Sequence, residues 1–144
     1  MKVLDVGCNG HKRGDIGIDL HRNNHVDVIA DAHYLPFRNN VFDIVTSQHL
    51  VEHLHTPERA IKEMLRVSKW KVHVTCPHRF SHYAKITKEH LHFFNKRWFL
   101  QLAKKLNVEA FVKTSFDPLA YCGLGILTRP NELFVEYWKD TGKE

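Results

Sequence analysis

The stretch "LDVGCNGHKRGDIGIDL" constrains the fold more than any other part of the chain. It contains two short apolar runs bounded by turn-forming residues, "KVLDVG" (2–7) and "DIGIDL" (15–20), and both read as buried strands. Only 11 residues separate Gly7 from Asp19. A crossover between parallel strands, its helix included, ordinarily needs at least about 10 to 12 residues, so this one stands at the lower limit. The segment "GCNGHKRGD" is therefore expected to be a bare loop, which brings Asp5 and Asp19 to the same edge of a sheet.

The rest of the chain supplies the sheet. "VDVIAD" (26–31), "FDIVTS" (42–47) and "KVHVTCP" (71–77) read as further strands. "VEAFVKTSF" (108–116) and "ELFVEYWK" (132–139) alternate more clearly and suit edge or antiparallel strands with one wetter face. In "TPERAIKEMLRVSK", Thr56 can cap a helix that starts at Pro57, with Ala60, Ile61, Met64 and Leu65 on one apolar stripe. In "NKRWFLQLAKKLN", Asn95 caps, Trp98, Phe99, Leu102, Ala103 and Leu106 form the stripe, and Asn107 ends the helix. A shorter helical segment is expected over "QHLVEHL". Strands alternating with helices in the second half point to a mainly parallel α/β sheet.

Composition narrows the class. With 144 residues, 43% of them hydrophobic, the chain can form one compact domain over 1–144. Its longest apolar runs are strand-sized and its start lacks a secretory pattern, so the expectation is a cytoplasmic protein without a membrane segment. Three cysteines without a C-x-x-C pair suit reduced, buried thiols rather than a disulfide framework. A net charge of +5 permits an anionic partner, but the basic residues are scattered, apart from "RVSKWK" and "NKRWFLQLAKK". The second of these reads as the solvated face of a helix.

The chemistry gathers at the strand ends. Gly7 and Gly10 let the backbone turn sharply and approach a ligand, while Asp19, at the end of the next strand, can accept hydrogen bonds from vicinal ribose hydroxyls. The glycines do not form G-x-G-x-x-G, since His11, Lys12 and Arg13 follow Gly10. Taken together, "VLDVGCNG", "GIDL", "ADAHYLPFRNNVFDIVTSQHLVEHL" and "HLHFFNKRWFLQLAKKLNVE" resemble the class I S-adenosylmethionine-dependent methyltransferases over residues 2–116. The resemblance implies a Rossmann-like, mainly parallel sheet of about seven strands with the last strand antiparallel, here in a minimal version lacking helices on one face.

Carried over by residue, the family pattern makes Asp5, Gly7, Cys8, Asn9 and Gly10 the loop under the amino-acid end of S-adenosylmethionine. Asp19 and Leu20 would hold the ribose, and Asp31 and Ala32 the adenine beside a wall of Leu35, Pro36 and Phe37. Ser47, Gln48 and His49 would face cofactor and acceptor. Asp19 and Asp31 also read as plain strand-ending residues, and Leu35 and Phe37 as core. The implied activity is methyl transfer to an unidentified acceptor, a small molecule or, alternatively, RNA, leaving S-adenosylhomocysteine. A catalytically silent, methyltransferase-like subunit is the reading from another class. His49, His53 and His78 are the candidate bases. "HLVEH" formally matches H-x-x-E-H, but no third ligand is evident near it, so no metal is expected.

Relative to that family the chain lacks a leading helix, the first crossover helix and a helix in "HRNNHVD", all of which belong to one face of the sheet. That face is expected to be covered by a second copy of the chain, by a partner subunit, or by "RFSHYAKITKEHL". Lys12 or Arg13 is expected to replace the missing helix end near the cofactor carboxylate. The 117–131 stretch reads as an insertion between the last strands, either selecting substrate or forming a floppy hairpin loop.

Overall fold

The computed structural model describes residues 1–122 and 125–139, with backbone alone at 83 and 117–129. The strands are β1 (Val3–Val6), β2 (Ile16–Asp19), β3 (Val28–Ile29), β4 (Phe42–Gln48), β5 (Ser68–Pro77), β6 (Glu109–Cys122) and β7 (Gly125–Trp138). The helices are α1 (Pro57–Val67), α2 (His82–Ile86) and α3 (Lys96–Leu106), with one 3-10 turn at Val51–His53. All seven strands lie in one sheet in the order β3-β2-β1-β4-β5-β7-β6. The strands β1 to β5 pair in parallel, and β7 runs antiparallel to both β5 and β6. This is the expected Rossmann-like sheet with its last strand reversed. From β1 the chain builds outward through β2 and β3, then returns to add β4 and β5 on the other side. A crevice opens where the direction of winding changes, beyond the carboxyl ends of β1 and β4.

Between β1 and β2 the chain forms no helix, as the short spacing requires. The loop instead lies on the sheet. Asp5 and Gly17 are neighbours in register, and a Cβ at Gly17 would come 2.8 Å from Cys8 Sγ and 2.7 Å from the His25 carbonyl. Only a residue without a side chain lets the loop pack this closely.

Both long helices cover one face. The stripe of Ala60, Ile61 and Met64 on α1 and that of Phe99, Leu102 and Ala103 on α3 are buried with Val45, Val72, Val74, Leu133, Val135 and Tyr137 from the strands. The Tyr137 hydroxyl donates to the Phe99 carbonyl at 3.3 Å, so the phenol is satisfied where β7 meets α3. Asn95 Oδ1 accepts from the Trp98 N–H at 3.0 Å, and Asn107 ends α3 in the left-handed region. Thr56 sits at the cap position of α1 but its side chain makes no capping bond. Pro57 has already removed one orphan donor, and the Thr56 carbonyl accepts from Arg59 and Ala60.

Over β4 to β7 the opposite face carries no helix among the described residues. It is not a continuous apolar surface in need of a cover. Thr46, His73 and Glu136 alternate with the core positions, and Glu136 takes His73 Nδ1 at 3.0 Å and Lys71 Nζ at 3.5 Å. Charge pairs replace apolar contacts there, although Phe111 and Phe134 remain exposed beside them. The segment "RFSHYAKITKEHL" does not cover this face. It folds as the short helix α2 and then returns to the carboxyl edge, where Leu91 N–H and His92 N–H donate to the Glu52 carbonyl at 2.8 and 3.2 Å.

Residues 117–122 and 125–130, in the stretch read as an insertion or a floppy hairpin loop, continue the ladder. Their backbone stays paired from Asp117↔Arg129 to Cys122↔Gly125, with register shifts between Thr114 and Phe116 and between Pro118 and Ala120. Among the described residues no helix is long and apolar enough to cross a membrane.

Candidate functional site

A cavity of about 410 Å³ opens beyond the carboxyl ends of β1 to β4. Its wall includes Gly7, Asn9, Asp19, Leu20, Asp31, Ala32, His49, Leu50 and His53. Four sequence segments separated by up to 46 residues thus converge on one hollow, because parallel strands deliver all their carboxyl ends to one edge.

The floor is backbone. Gly7 has φ +75°, and its N–H and that of Cys8 both donate to the Ile18 carbonyl, at 2.9 and 3.1 Å. A Cβ at Gly7 would stand 3.0 Å from Leu50, so only glycine supports this turn. Asp19 stands at the tip of β2, where Oδ2 accepts from the Asn9 N–H at 3.0 Å and Oδ1 from the His21 N–H at 3.1 Å. Each oxygen keeps a lone pair for a further donor in the cavity. Asp31 Oδ1 accepts from the His33 N–H at 2.8 Å and pairs with His33 Nδ1 at 2.6 Å, and the first of these bonds holds its carboxyl below the usual range.

Five residues expected at the cofactor lie just outside the wall. Asp5 is a brace under the loop: it is buried, its Oδ2 accepts from the Arg13 N–H at 2.7 Å, and burial raises its pKa against that bond. Cys8 is buried and turned toward the His25 carbonyl. Gly10 has open space around it. Ser47 is buried beside Val6, and Gln48 stands in register with Thr75. Lys12 and Arg13 are engaged elsewhere, Lys12 Nζ with Asp27 at 2.9 Å and Arg13 Nη1 with the His11 carbonyl at 3.2 Å.

The three candidate histidines part company. His49 and His53 border the cavity, and both also line a neighbouring hollow of about 440 Å³ with Glu52, His90 and Glu132. His78 lies outside both, its Nδ1 accepting from the Phe80 N–H, with burial lowering its pKa. The helix expected over "QHLVEHL" is a single 3-10 turn, because His49 leaves β4 at φ +49° and breaks the run. His49 lies 3.4 Å from Glu52 through Nδ1 and 3.0 Å from Glu132 through Nε2. These carboxylates, Glu52 foremost, raise the His49 pKa against the opposing effect of burial.

The sign follows from linkage. Protonated His49 stabilises the fold fully below the ordinary imidazole value of about 6.5, and that contribution is lost as pH rises through the raised value. Proton NMR titration is expected to show His49 above the free imidazole value, with Glu132→Gln bringing it down. An unchanged midpoint in that variant would remove Glu132 from the account.

Several site residues were not anticipated. Glu63 and Arg66 clamp the loop of Leu35 to Phe37: Glu63 Oε2 accepts from the Leu35 N–H, while Arg66 donates to the Leu35 and Phe37 carbonyls at 2.9 and 2.8 Å. Their i, i+3 spacing on α1 was the available signal. Glu132 and His90 had none, since each comes from a distant segment. His90 stands beside Glu52 and His53, one ligand-type atom of each within 4.8 Å of the others.

Residues 15–76 match the model of a family described as methyltransferase domain. A demethylmenaquinone methyltransferase from Renibacterium salmoninarum is 39% identical over 67 residues, 46% of this chain. The chain spans 28% of the length of that curated relative. Among solved structures, an S-adenosylmethionine-dependent methyltransferase from Archaeoglobus fulgidus superposes with a TM-score of 0.73 at 18% identity, over 95% of this chain and 85% of the other. A chain of the complex between the Haloferax volcanii Trm112 methyltransferase activator and a methyltransferase gives 0.66 at 11% identity, over 99% and 83%.

Proposed function

We propose that this chain, which has the class I S-adenosylmethionine-dependent methyltransferase fold, holds S-adenosylmethionine in the cavity above Gly7 and transfers its methyl group to a small-molecule acceptor. The observation that carries this reading is the convergence of Gly7, Asp19 and Asp31 on one cavity at the point where the winding of the sheet reverses. The residues fit the ligand. Gly7 leaves a floor without side chains, the Asp19 carboxylate suits vicinal ribose hydroxyls, and Asp31 suits an exocyclic amine.

Bound there, S-adenosylmethionine would supply a methyl group that its sulfonium already makes electrophilic, with S-adenosylhomocysteine as the leaving group. The chain's task is then mainly alignment. Asp19 and the Gly7 turn fix one end of the ligand, and Asp31 the other. His49, at the boundary of the two hollows, is placed to take the acceptor's proton once it is itself deprotonated.

Calorimetric titration with S-adenosylmethionine and S-adenosylhomocysteine tests the reading. A micromolar dissociation constant for both is the expected result. No heat at millimolar ligand would overturn it and favour a silent subunit. That second reading has its own observation, the helix-free face with Phe111 and Phe134 exposed, where a second copy or a partner subunit fits. Light scattering on the same sample shows whether two copies associate. One sheet holding all seven described strands supports reading 1–144 as one domain, and the buried thiols of Cys8 and Cys76 suit a cytoplasmic setting.

A further inference from the structure

We propose that Glu52, His53 and His90 form a binding site for one divalent cation of the zinc type, in the hollow beside the cofactor cavity. One ligand atom from each of the three lies within 4.8 Å of the others. Glu52 carries the argument. It is 1% exposed, and neither carboxylate oxygen has a hydrogen-bond partner among the described residues. His49 Nδ1 stands 3.4 Å from Oε1 and forms an ion pair with it when that imidazole is protonated, but Oε2 is left without a hydrogen-bond partner among the described residues. A buried carboxylate left in this state is costly unless a cation meets it.

The histidines are prepared for the same role. His53 Nδ1 lies 3.2 Å from the Glu89 carbonyl, and because a carbonyl only accepts, Nδ1 must carry the proton and Nε2 the lone pair. A backbone carbonyl behind the ring is the arrangement that orients metal-binding histidines. His90 is held in place by its neighbours, since the N–H groups of Leu91 and His92 both donate to the Glu52 carbonyl. Glu52 and His90, 38 residues apart in sequence, are thus tied through one backbone group. Two imidazoles and one carboxylate suit zinc and similar transition ions, whereas magnesium and calcium prefer oxygen alone. The hollow of about 440 Å³ leaves room for a water or another ligand at the open position.

The test uses the full chain, stripped with a chelator and titrated with zinc chloride by competition calorimetry. Binding of one equivalent is expected, weakened at least 10-fold in His90→Ala and in Glu52→Gln but unchanged in His55→Ala, a neighbouring histidine outside the cluster. Cobalt(II) gives a second readout, a visible absorption band expected in the parent chain and absent from His90→Ala. Absence of zinc uptake would overturn the site, as would equal affinity in the parent and both cluster variants. None of these readouts needs cofactor binding or methyl transfer, so failure here is separable from failure of the proposed function.

Discussion

Replacing Asp19 with alanine is expected to weaken S-adenosylhomocysteine binding by about 100-fold, with the fold retained. The carboxylate borders the cavity with one lone pair free on each oxygen, and hydrogen bonds to a charged acceptor contribute about 1.5 to 3 kcal/mol each. Loss of roughly 3 kcal/mol corresponds to about two orders of magnitude in affinity. Part of the effect acts through the loop, because Asn9 and His21 both donate to this side chain. Asp19→Asn separates the two contributions: its amide oxygen still accepts one bond while its NH2 cannot accept the other, so an intermediate affinity is expected. Calorimetry with a thermal melt of each variant is the measurement. An affinity within about threefold of the parent, in a variant that still folds, would remove Asp19 from the ribose site.

The second large effect falls on stability. Phe99→Ala is expected to cost about 3 to 5 kcal/mol, the range for deleting a fully buried aromatic ring. A domain of this size has about 5 to 15 kcal/mol in total, so the melting temperature should fall by about 10 °C or more. The ring lies 5.2 Å from Phe94 and 4.9 Å from Trp98, and it anchors α3 beneath β6 and β7. None of these residues borders the cofactor cavity, so S-adenosylhomocysteine affinity should persist in whatever fraction remains folded. Urea unfolding followed by tryptophan fluorescence reads the change. A loss below about 1 kcal/mol would mean that the core closes over the gap, against the tight packing seen there.

Much of the cofactor half was legible because its signals are local. Gly7 announces a turn, Asp19 follows it after too few residues for a helix, and Asn95 and Asn107 punctuate α3 with side chains that act within one turn of their own positions. The short spacing also foretold the bare loop. It could not foretell that the loop would press on Gly17 and occupy Lys12 with Asp27, because those contacts depend on how β2 and β3 pair. For the same reason Asp5 and Ser47 were placed at the right strand ends but not on the cavity wall.

The helix-free face was foreseen from the missing segments, and its polarity was not. Period-two alternation in β5 and β7 shows which residues share a face, but only the antiparallel register puts Glu136 opposite His73. Pro118 and Pro130 interrupt the alternation over 117–131, yet the ladder of the described residues continues past both, with a shift of register between Pro118 and Ala120.

By itself the sequence determined the strand and helix periods and the loop that stands in place of a first crossover helix, since each of these depends on neighbours within a few positions. Only the tertiary structure decided that β7 inserts between β5 and β6, that Glu132 meets His49, and that His90 stands beside Glu52 and His53. Those meetings join segments up to 83 residues apart. No local propensity encodes them; they follow from which strands share an edge once the apolar faces of α1 and α3 are buried.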